Sequence, residues 1–96
     1  MKQNLSLDDT CVLIAGERQE EIYCCSLSIS LGAYHKYGEK GLKPDVILAV
    51  QELEYTGEEI LEFEGIRYAV THVYKRDDGL VELTGTKKAG LNNANR

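Results

Sequence analysis

Residues 60–74 read Ile60-Leu61-Glu62-Phe63-Glu64-Gly65-Ile66-Arg67-Tyr68-Ala69-Val70-Thr71-His72-Val73-Tyr74. Two runs rich in β-branched and aromatic residues flank Glu64-Gly65, a two-residue connection whose glycine supplies the positive φ of a tight hairpin. In the second run Ile66, Tyr68, Val70, His72 and Tyr74 alternate with Arg67, Ala69, Thr71 and Val73. Both sets hold apolar residues, so both faces of this strand are expected to be partly covered. A turn over Lys75-Arg76-Asp77-Asp78-Gly79 leads into residues 80–87, a third strand, and the half-chain reads as a β-meander.

Toward the N-terminus the same periodicity continues. Residues 45–53 form an apolar strand with Val46, Leu48 and Val50 on one side, and Tyr55-Thr56-Gly57-Glu58 follows as a loop. Residues 10–15 are a short apolar run bounded by Asp8-Asp9 and Gly16, too short for a helix. Over residues 23–31, Tyr23, Cys25, Leu27, Ile29 and Leu31 alternate with Cys24, Ser26, Ser28 and Ser30, which places the serine face toward water. Ser30 can cap a helix of about two turns over residues 30–41 carrying Ala33, Tyr34 and Tyr37, although Gly32 and Gly38 weaken it. Lys43-Pro44 ends that element. The expectation is a mainly β fold, a small antiparallel β-barrel or sandwich of about six strands with one short helix.

The chain has 96 residues, 43% of them apolar, with 11 Lys and Arg against 16 Asp and Glu for a formal charge of −5. A chain this short buries about 60 to 65% of its unfolded surface and holds one core. A single domain over residues 1–96 is expected, with its core at about 8–90 and residues 91–96 as a flexible, asparagine-rich tail. The apolar share is too high for disorder, and carboxylates outnumber the cations that a free-standing nucleic-acid binder needs. No run of 18 apolar residues is present and Met1-Lys2-Gln3-Asn4-Leu5 lacks a signal-peptide core, so a soluble, intracellular chain without a membrane partner is expected.

Cys11, Cys24 and Cys25 are an odd set, and the adjacent pair lacks the two-residue spacer of a zinc or redox motif, so free, small hydrophobic thiols are expected. The sequence carries no glycine-rich phosphate loop, serine elbow or helical metal-ligand pair. His72 on its strand and His35 among tyrosines read as packed or exposed rather than catalytic. No catalytic residue, metal or cofactor is assigned, and a non-enzyme is expected; a thiol enzyme using Cys24 or Cys25 would require a depressed thiol pKa.

Carboxylates concentrate at Glu52, Glu54, Glu58, Glu59, Glu62 and Glu64. They read as a solvated face, or as an acidic rim that complements a basic patch on a partner or on another copy. Lys75-Arg76 at a turn and Lys87-Lys88 near the C-terminus are the compact basic pairs. The candidate subunit interface therefore comprises Lys75, Arg76, Glu58, Glu59, Glu62 and Tyr55.

These features also occur in a familiar order. An aromatic segment precedes Gly41-Leu42-Lys43-Pro44, then come an apolar strand and Glu54-Tyr55-Thr56-Gly57-Glu58. Phe63-Glu64-Gly65-Ile66-Arg67-Tyr68 follows with Val70 and Tyr74, then Asp77-Asp78-Gly79, Val81-Glu82-Leu83, Lys87-Lys88 and Gly90. In this order residues 34–90 resemble the small head-tail joining (head-closure or connector) proteins of tailed bacteriophages and their prophage remnants. The resemblance implies a β-barrel virion subunit that assembles with copies of itself as a ring between portal vertex and tail, touching portal or adaptor and tail-end proteins. DNA would pass through without sequence-specific binding, no catalysis would occur, and the chain would reside in host cytoplasm before assembly. The alternative is an SH3-like or OB-like binding module for a peptide or oligonucleotide, which single-stranded DNA binding and oligomeric state would distinguish.

Overall fold

The computed structural model describes residues 5–28, 44–88 and 90–92. Among them are the strands β1 (Asp9–Ala15), β2 (Arg18–Leu27), β3 (Val46–Gln51), β4 (Ile60–Phe63), β5 (Ile66–Lys75) and β6 (Leu80–Thr86), with a 3-10 turn at Glu52–Glu54. Every neighbouring pair is antiparallel, and the order β1-β2-β3-β6-β5-β4 closes on itself. The fold is thus mainly β, and of the two expected architectures it is the barrel. Closure removes the exposed edges that a sandwich would have to protect. The closing seam is short: β1 meets β4 only through Val12↔Glu62, Leu13↔Leu61 and Ile14↔Ile60.

Side chains fill the barrel. Leu13, Cys24, Leu48, Val50, Leu61, Val81 and Leu83 are fully buried, and Tyr68 of β5 joins the same cluster. Residues Val46, Ile47, Leu48, Ala49 and Val50 are all buried, so β3 is covered on both faces and reads as a continuous apolar run. The β4–β5 hairpin has Glu64 at φ 55 and Gly65 at φ 83, two consecutive positive values that match the right-handed strand twist. Its closing pair is Phe63↔Ile66.

Three expectations change in detail. In β2 the inward residues are Ile22 and Cys24, while Tyr23 is 62% exposed. The alternation over residues 23–31 assigned the faces the other way because it drew on residues past Leu27, where β2 ends. Pairing sets the observed phase, since Cys11↔Ile22 and Cys24↔Val50 place those side chains on the core face. In β5 a bulge between Val70 and His72 makes Thr71 an extra residue. Ile66, Tyr68 and Val70 therefore stay on one face while His72 and Tyr74 pass to the other. The Thr71 hydroxyl donates to the Thr84 carbonyl at 3.4 Å and meets the Thr86 hydroxyl at 3.3 Å. Finally, β3 stops at Gln51, short of the expected Leu53, because the chain turns there.

The expected helix over residues 30–41 lies outside the described residues. Of the expected tail, Gly90, Leu91 and Asn92 form a turn, and the Asn92 amide accepts from the Arg67 N–H at 3.0 Å and donates to its carbonyl at 3.1 Å. Cys11, Cys24 and Cys25 are free thiols, the first two buried; burial, foremost among the causes, pushes both buried thiols above their ordinary pKa.

Candidate interaction surface

In the closed order β3 and β4 lie three places apart, on opposite sides of a six-strand barrel. The connection from Glu52 to Glu59 must therefore cross an end of the barrel. Tyr55 packs against the core cluster from this crossing, and its hydroxyl donates to the Glu58 carbonyl oxygen at 2.9 Å. Gly57 at φ 97 permits the reversal between them.

Glu58 fixes the crossing in place. Its residue is only 3% exposed, and its carboxylate accepts from the Thr56 N–H at 2.9 Å, the Thr56 hydroxyl at 2.8 Å and the Arg18 guanidinium at 3.4 Å. Burial alone would raise its pKa, but the hydrogen bonds from Thr56 and the Arg18 charge outweigh burial and hold it below the ordinary carboxylate range. Arg18 opens β2, so this contact ties the crossing to the β1–β2 hairpin.

Leu53 stands at the top of the crossing and is 92% exposed. Grooves lie on both sides of it. One is lined by Leu5, Leu7 and Leu80, the other by Tyr55, Val73 and Val81. Lys75 Nζ and Glu52 meet at 3.1 Å on the rim of the second groove, and Glu54 is exposed beside Leu53.

The six candidate interface residues do not form one patch. Tyr55 and Lys75 line the second groove together. Glu58 is buried beneath the crossing, and the Glu59 carbonyl accepts from the Val70 N–H at 2.9 Å while its side chain is exposed. Glu62 is half-buried on the outward face of β4 and pairs with Arg67 at 3.1 Å. Arg76 is engaged within the chain, with Asp78 at 2.8 Å and Glu82 at 2.9 Å, and hydrogen bonding from Arg76 keeps Asp78 below its ordinary pKa. Both cations of the expected basic tip are thus paired within the chain, Lys75 with Glu52 and Arg76 with Asp78 and Glu82.

Leu53, Val73 and Arg18 carry no site assignment from the sequence, where Leu53 and Val73 read only as strand residues. An apolar residue between two glutamates, at the end of an apolar strand, was the available signal for Leu53. Of the exposed aromatics, Tyr23 shares a groove with Glu21, while Tyr74 lies across from Glu82 and shares a groove with Lys75 and Arg76. Among the described residues no group of three or more His, Cys, Asp and Glu could hold a metal ion, and no helix is long and apolar enough to cross a membrane. A scan against protein-family models, a search of curated proteins and a search of solved structures each return no match.

Proposed function

We propose that this chain is a structural subunit of a phage or prophage head-tail connector, working through its surfaces in a ring between portal and tail. The observation that carries the reading is the crossing at the barrel end, where Leu53 stands exposed on a segment anchored by Tyr55 and Glu58. Leu53 together with the apolar walls of the two grooves beside it makes a contiguous apolar surface on a fixed support, which suits a protein interface. The motif order over residues 34–90 supplies the particular assembly. The closed barrel fits this reading and the SH3-like or OB-like alternative equally. The neighbourhood of Tyr23 favours the connector, because Glu21 repels the phosphates of an oligonucleotide that would stack there.

Disruption of the gene in its phage or prophage tests the proposal. Electron microscopy of the lysate is expected to show DNA-packaging heads and free tails that do not join. Normally joined particles would overturn the assignment. Binding of single-stranded DNA by the isolated chain, with joining unaffected, would favour the oligonucleotide-binding module.

A further inference from the structure

We infer that the Leu53 crossing docks a protein segment that presents apolar side chains flanked by lysine or arginine. The inference names the partner chemistry of the proposed assembly surface and rests on that reading. Leu53 is 92% exposed between two grooves with apolar walls, so the surface offers both a knob and the recesses beside it. A few desolvated side chains carry most of the binding energy of a protein interface, and the recesses beside Leu53 are where a partner's apolar side chains would be desolvated.

The charges around the knob select the partner. Glu52 and Asp78 line the two grooves and Glu54 follows Leu53 in the chain, against Lys75 as the one cation among the lining residues. Lys75 offsets Glu52 and Arg76 offsets one of Asp78 and Glu82, which leaves Glu54 and one further carboxylate charge beside Leu53. A second copy docking symmetrically through the same patch would bring acidic rim onto acidic rim, because a two-fold interface uses one surface twice. A basic partner gains from the same field and is steered by it. The support is fixed in advance by the Thr56 and Arg18 bonds to Glu58, which lowers the ordering cost of docking.

The test titrates the full-length, nitrogen-15-labelled chain with three short peptides: a leucine pair flanked by lysines, the same pair flanked by glutamates, and a serine pair flanked by lysines. The lysine–leucine peptide is expected to shift the amide resonances of Leu53, Val73 and Lys75, with affinity falling as salt rises. Leu53→Ser should weaken its binding roughly tenfold, the weight of one anchoring side chain, without disturbing the rest of the spectrum. Glu54→Lys should weaken the lysine–leucine peptide and strengthen the glutamate-flanked one. Equal binding of the two leucine peptides, shifts away from the crossing, or no shift at all would overturn the inference. Peptide binding that persists alongside normal head-tail joining in a gene disruption would refute the connector reading alone. Joining that needs the chain, with no peptide response, would refute this inference alone.

Discussion

Glu58 and Gly85 are the two positions where the structure places the sharpest demands on a single side chain. The folded pKa of Glu58 is depressed, so the folded chain holds that proton less tightly than the unfolded chain does. Its contribution to stability is complete above the ordinary carboxylate value and is lost as pH falls through the lower folded value. Glu58→Gln is expected to cost about 1 to 3 kcal/mol at neutral pH, since Thr56 and Arg18 lose a charged acceptor. Urea melts across a pH series should also show a shallower acid loss for the variant than for the parent. Gly85 presents the opposite problem. A Cβ there would lie 2.8 Å from Tyr68 Cβ and 2.9 Å from Val46 Cγ1. Gly85→Ala is expected to cost roughly 1 to 3 kcal/mol by overpacking, whereas Gly65→Val, with open space around its Cβ, should cost about 1 to 2 kcal/mol through the positive φ alone. Denaturant midpoints check both. Gly65 was legible because a glycine between two alternating runs has a local meaning. Gly85 was not, because its demand comes from residues 17 and 39 positions away in the chain.

At the scale of the element, β5 shows why alternation alone misplaces side chains. A straight strand would put Val70, His72 and Tyr74 on one face, and the Thr71 bulge separates them. Tyr74→Lys is accordingly expected to change stability by less than about 0.5 kcal/mol, as an outward, half-exposed position. Val70→Lys, directed at the core cluster, should cost roughly 2 to 3 kcal/mol. Equal costs in thermal melts would mean that the bulge is absent. The β5–β6 turn carries a related distinction: Lys75→Glu should be nearly neutral, while Arg76→Glu should cost on the order of 1 kcal/mol after solvent screening, because Arg76 links Asp78 and Glu82. The hairpins were readable from turn residues and local periods. The faces of β2 and the bulge in β5 were not, since both are set by partner strands distant in sequence. Nor did any sequence period mark Leu53, whose exposure follows from where the chain leaves β3 to cross the barrel.

For the whole molecule, barrel closure is what creates the candidate surface. With β3 and β4 on opposite sides, the chain must pass over an end of the barrel, and the crossing is then anchored by Tyr55 inside and Glu58 beneath. A mainly β circular dichroism spectrum, with helix well below the soluble-protein average of about a third, is the expected signature of this fold. A mainly β fold, barrel or sandwich, could be anticipated from strand number and a single core; the closure that decides between them could not. Which end would be covered could not, because that depends on the order in which the strands close. The most direct measurement of the central claim is complementation in vitro: purified chain added to heads and tails collected from a gene-disrupted lysate, with joined particles counted by electron microscopy. The parent chain is expected to restore joining, whereas Leu53→Glu, folded by circular dichroism, is expected not to. Heads that package DNA yet remain unjoined when the parent chain is added would contradict the claim.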